Sequence, residues 1–169
     1  MKWAKTYLIG TIAQMAAVCL IIAVLQASHI PYPAPLNILF LVIGGTSSAV
    51  WGIIVSLKSK RAGSLLKILA DFFGFQQPVV QYGMVFAFLA ILFAPQLFLG
   101  HLSDGVKWYS FFILFLQSIV FGGIEEIGWR YTFQPILEKK VPFAVATIIT
   151  FFAWGFWHYM YFYMTNSLQ

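Results

Sequence analysis

Five apolar stretches, each about twenty residues long, divide this chain and leave it little but a lipid bilayer to fold in. They run over about 7–26, 36–57, 79–100, 108–127 and 141–164, and a helix needs roughly 20 apolar residues to cross some 30 Å of hydrocarbon. The composition agrees: 61% of residues are hydrophobic and 9% charged, against about 45–50% and 25% in soluble domains. The pattern predicts an all-α, polytopic integral membrane bundle of about five transmembrane helices, forming a single domain over 1–169. No internal repeat is evident, so a carrier built from repeated halves has no direct support.

Basic residues fall between the apolar runs. The net charge of +5 therefore reads as membrane topology, and no nucleic-acid partner is expected. With the N-terminus inside, Lys2, Lys5, Lys58, Lys60, Arg61, Lys67, Arg130, Lys139 and Lys140 are cytoplasmic and Lys107 alone is outside, a strong positive-inside bias. The expected location is the cell membrane, multi-pass, with a cytoplasmic N-terminus and the bilayer as solvent. The first run is longer than the 7–15-residue core of a cleaved signal, so it reads as a retained helix. Cys19 is the single cysteine and has no intrachain disulfide partner. The outer loops carry His29 and His101, which need no special role at a membrane surface.

The segment 65–73 is apolar with spaced charges and predicts a short helix on the inner membrane surface, with Asp71 solvated. Gly44-Gly45 and Gly122-Gly123 are expected to allow close helix approach. The second pair directly precedes the feature that bears chemistry.

That feature is Glu125-Glu126. Acidic residues number five in the whole chain, and two stand side by side here in an apolar run. A charge at mid-membrane costs several kcal/mol, about 2.5–3.5 on insertion scales, so it is kept only where it faces a partner, cavity or substrate. Glu126 and Arg130 are four apart, share a helix face and can pair; Glu125 points about 100° away. His158 is the one histidine inside the five runs. The fourth and fifth runs turn near Lys140, and Glu125 and His158 lie at similar distances from that turn. At about 1.5 Å per residue they reach nearly the same depth. A glutamate and a histidine facing each other can hold and deprotonate a water, with or without a metal. The same residues also suit a structural ion pair beside a buried neutral acid, or a small proton- or cation-coupled carrier.

Glu125-Glu126-Ile127-Gly128-Trp129-Arg130 resembles the Glu-Glu-x-x-x-Arg motif of the CAAX-protease and bacteriocin-processing family. These intramembrane proteases are also known as abortive-infection proteins and are often described as metalloproteases. Trp154-Gly155-Phe156-Trp157-His158 is similar to the family's second motif, an aromatic residue, usually Phe, separated from a histidine by three residues; here that aromatic is Trp154. The resemblance covers about 120–163. It implies an intramembrane endopeptidase acting on a peptide or membrane-protein substrate. Glu125 would be the general base that activates water and His158 would position that water, while Glu126 and Arg130 shape the site. A divalent metal such as zinc would have Glu125 and His158 as candidate ligands. Later family helices supply a further histidine and an asparagine or similar residue for the oxyanion. Asn166 stands too close to His158 for that role, so the chain is expected to be a truncated or degenerate member, or to draw those groups from elsewhere. A non-catalytic membrane immunity or scaffold protein is the alternative that keeps the same helices.

Overall fold

The computed structural model describes residues 1–30, 34–74, 77–98, 109, 112–113, 116 and 118–165. His101, Lys107, Asn166, part of the first outer loop and most of 99–117 lie outside the described residues. Every regular element among the described residues is helical. The chain forms two compact units, Met1–Phe72 with Ser118–Gln169, and Phe73–Gln117.

The second unit holds α5 (Val79–Phe98). The first contains α1 (Lys2–Ala27), α2 (Pro35–Gly45), α3 (Ser47–Lys58) and α4 (Leu65–Phe73). It also contains a continuous helical run over 118–138, here α6, and α7 (Phe143–Met164). Lys2–Ala27, Pro35–Lys58 and Phe143–Met164 are long and apolar enough to cross a membrane. Their outward faces are oily: Ile9, Leu20 and Phe152 are 68%, 70% and 69% exposed. Such faces belong against lipid.

Lipid tails are as apolar as leucine, so helices in a bilayer associate through close packing and hydrogen bonds. Both are visible here. A Cβ on Gly10 would fall 2.2 Å from the Trp51 ring, and one on Gly44 would lie 3.1 Å from Met15 Sδ. Helices α2 and α3 are one span bent at Thr46. At the bend Gln14 donates to the Ile43 carbonyl at 2.8 Å and accepts from Trp51 Nε1 at 3.0 Å, so this half-buried amide, with Thr46 Oγ1 at 3.3 Å, satisfies a carbonyl that the bend frees.

Helix α6 changes its winding along its length. Ser118–Gly123 is a π-helix, Ile124–Gly128 is α-helical, Trp129–Phe133 is again π-helical and Gln134–Glu138 is α-helical. The second widening has a local cause. Pro135 offers no N–H to the carbonyl of Tyr131, and its ring presses against it. Thr132 Oγ1 lies 2.8 Å from the Ile127 carbonyl, which anchors the loosened turn.

The glycine contact falls elsewhere than expected. Among the described residues, Gly122 has nothing within 4 Å of a built Cβ, and Gly123 meets only Phe72, at 3.9 Å. The close approach belongs to Gly128, where a Cβ would lie 2.1 Å from Ser48 Oγ, and to Gly52, where it would lie 2.6 Å from Gly128 Cα. Gly128, six positions beyond Gly122, points to α3, whereas the pair beside the acids does not.

Candidate active site

Helices α3 and α6 run side by side in the same direction, matched residue by residue. Ser48 Oγ donates to the Glu125 carbonyl at 2.7 Å, and Ser56 Oγ lies 2.8 Å from Thr132 Oγ1. A carbonyl only accepts, so the Ser48 hydrogen is committed to Glu125. Tyr7 Oη, 2.8 Å from Ser48 Oγ, is then the donor in that pair. A directed chain, Tyr7 to Ser48 to Glu125, thus ties α1 and α3 to the main chain at Glu125. All three residues are buried.

Helix α7 returns antiparallel. Gln134 Nε2 donates to Thr147 Oγ1 at 3.3 Å near its start, and Trp157 Nε1 donates to Ser47 Oγ at 2.9 Å near its end. The second contact stands next to the site. One residue beyond Trp157, His158 Nε2 lies 3.7 Å from Glu125 Oε2, at the common depth that helix rise predicts. Trp154 Nε1 donates to Glu125 Oε1 at 3.4 Å, and its ring centroid is 3.9 Å from that of His158. His158 Nδ1 lies 3.1 Å from the Trp154 carbonyl, so Nδ1 carries a hydrogen. In the neutral ring Nε2 is then a lone pair.

Two acceptors therefore face each other, a carboxylate oxygen and an imidazole nitrogen. Their separation exceeds that of a direct hydrogen bond, and a single donor seated beside the pair, such as a water, can reach both atoms. Glu125 is 8% exposed, so its carboxylate has few other partners.

Glu126 and Arg130 pair at 3.3 Å; the Arg130 side chain is exposed at 51%, whereas Glu126 is half-buried at 34%, with its Oε2 out of reach of solvent. Arg130 also donates to Gln134 Oε1 at 2.8 Å, and Gln134 donates to Glu138 Oε1 at 2.9 Å. Four residues spaced by four thus make one polar ladder along α6. It leaves Glu125 on the other face, as the helical angle requires. Of the residues singled out in the sequence, Glu125 and His158 come together, while Glu126 and Arg130 form a separate pair beside them.

Asp71 is not simply solvated. It pairs with Lys67 in its own helix and accepts from Tyr131 Oη at 3.0 Å. Lys67 first, and then Tyr131, hold its carboxyl below the usual carboxylate range. Arg61 lies over the Tyr131 ring, 5.3 Å from its centre.

Among the described residues no group of three His, Cys, Asp or Glu side chains could hold a metal. Catalytic zinc takes three protein ligands, so Glu125 and His158 alone fall one short of that donor set.

Residues 106–168 match the family model described as type II CAAX prenyl endopeptidase, Rce1-like. The matched segment contains Glu125, Glu126, Arg130, Trp154 and His158. No curated protein and no solved structure matches the chain. Tyr7, Ser48 and Gly52 lie outside the matched segment, yet Ser48, backed by Tyr7, holds the Glu125 carbonyl, and Gly52 seats Gly128 three residues further on. Serines inside an apolar run were the available signal for Ser47 and Ser48, because a hydroxyl there needs a partner.

Proposed function

We propose that this chain is an intramembrane peptide hydrolase of the CAAX-protease type in which Glu125 and His158 activate a water. The observation that carries the reading is the facing pair of acceptors, Glu125 Oε2 and His158 Nε2, 3.7 Å apart. A water between them donates one hydrogen to each. As its oxygen attacks the scissile carbonyl carbon, one proton passes to Glu125 Oε2. On collapse of the tetrahedral intermediate the C–N bond breaks, and Glu125 returns that proton to the leaving amine. The glutamate ends as it began and atoms balance. His158 Nε2 orients the water through its second hydrogen. General acid–base help of this kind is worth about 10²–10⁴-fold.

The Rce1-like match supports a peptide substrate presented at a membrane, and a prenylated CAAX-type peptide is the first substrate to try. The cytoplasmic end of the bundle is, in this reading, the end where Lys2, Lys58, Lys139 and Lys140 gather. The start of α1 packs on Phe133 and Leu137 there, and the end of α3 meets Thr132.

The test is cleavage of a quenched-fluorescent farnesylated CAAX peptide by the purified full chain in nanodiscs. Glu125→Gln should abolish turnover with folded yield retained, because glutamine keeps the shape but takes no proton. Glu126→Gln should cleave at a reduced rate. Normal cleavage by Glu125→Gln would remove the reading. Cellular function that survives Glu125→Gln would favour a non-catalytic immunity or scaffold role.

A further inference from the structure

One residue touches both members of the facing pair. Trp154 lies one helical turn before His158, and its indole N–H reaches Glu125 Oε1. Its main-chain carbonyl takes the hydrogen on His158 Nδ1, and its ring lies against the imidazole with 43° between the planes. The two oxygens of Glu125 are thereby made unequal: Oε1 is engaged by the indole and Oε2 is turned to Nε2. A phenylalanine at this position could stack on the imidazole but could not donate.

We propose that Trp154 is a positioning residue whose indole N–H fixes the carboxylate of Glu125, so that Oε2 is the oxygen that takes the proton. The inference rests on the hydrolase reading for its kinetic consequence but not for its geometry. Without the indole donor the carboxylate can rotate about its terminal torsion, a broad and soft one. The productive Glu125–His158 arrangement then becomes one of several. A hydrogen bond to a charged group is strong enough for its loss to cost about tenfold in rate. That loss should fall on kcat, since Trp154 acts on the base and not on the substrate.

The test has two arms, both on the full chain. In the first, tryptophan is labelled with 15N at the indole nitrogen and the protein is studied by NMR in micelles. Six indole signals are expected from the six tryptophans, and the one that vanishes in Trp154→Phe is assigned; Trp154→Tyr serves if that variant does not fold. Glu125→Ala removes the acceptor and should move the Trp154 indole proton upfield. An unmoved signal overturns the proposal whatever the enzyme does. In the second arm Trp154→Phe should lower kcat about tenfold on the farnesylated peptide while KM stays within about twofold. A wild-type kcat in folded Trp154→Phe also overturns it. If Glu125→Gln cleaves normally, the hydrolase reading falls, and the indole signal still decides whether Trp154 holds the carboxylate.

Discussion

Gly52 and Gly128 meet backbone to backbone: a Cβ on Gly52 would lie 2.6 Å from the Gly128 Cα and 3.0 Å from its nitrogen. This contact sets how closely α3 and α6 approach, and so where Glu125 stands relative to α7. Gly128 is the tighter of the two, with Ser48 Oγ and the Ser48 carbonyl both within 2.3 Å of a built Cβ. A backbone atom cannot rotate away, so Gly128→Ala must push the helices apart. Overpacking of this kind costs about 1–3 kcal/mol or more. The expected result is a lower melting temperature in detergent and loss of cleavage. Gly122→Ala should be neutral or slightly stabilising, since alanine is the better helix former and none of the described residues stands in its way. Equal effects at the two positions would contradict the packing described.

The directed chain from Tyr7 through Ser48 to the Glu125 carbonyl makes an asymmetric prediction. Ser48→Ala takes from Tyr7 the acceptor it uses in a buried site, and from Glu125 one of its two carbonyl partners. The other, the Trp129 amide, remains. Stranding a buried polar group costs about 1–3 kcal/mol. Tyr7→Phe leaves the Ser48–Glu125 bond intact and should cost less. The double variant should be more stable than the sum of the single losses predicts, which a thermodynamic cycle from thermal melts would measure. Strict additivity would mean that the two hydroxyls are not coupled.

How much of this was legible before the fold was known depends on what each reading required. The shared depth of Glu125 and His158 needed only helix rise and one turn, both local properties. The Glu126–Arg130 pair needed only a spacing of four. The role of Gly128 needed the rotational phase of α6 against α3, and two π-helical segments shift that phase. Proximity to the acids therefore pointed to Gly122 and Gly123 instead. Trp154 stood out as an aromatic in a motif, but its N–H donation depends on a rotamer that spacing does not set. The Tyr131–Asp71 bond joins residues sixty positions apart, and nothing in the local pattern around Asp71 foretells it.

The orientation of the bundle is open to a direct test. If the Lys-rich end faces the cytoplasm, a reporter fused after Lys60 should read inside and one fused after Ser103 outside, as the distribution of basic residues requires. Reporter activities in the opposite sense would invert the topology.

The contact between α4 and α6 should respond to acid, and the sign follows from Asp71. Its carboxyl is held low by Lys67 and then Tyr131, so the folded form prefers the ionised state more than the unfolded chain does. The stabilisation is complete above the ordinary carboxyl value of 3.8 and is lost as pH falls through the lower, folded value. Amide hydrogen exchange in α4, corrected for intrinsic rates, should therefore be slow and constant at neutral pH and should accelerate only in strong acid. Tyr131→Phe removes one of the two donors and should bring that acceleration on at higher pH, closer to 3.8. Asp71→Asn has no proton to gain and should show no acid step in this helix. A wild-type profile indistinguishable from that of Asp71→Asn would mean that Asp71 does not link α4 to α6, whatever the distance between its carboxylate and Tyr131.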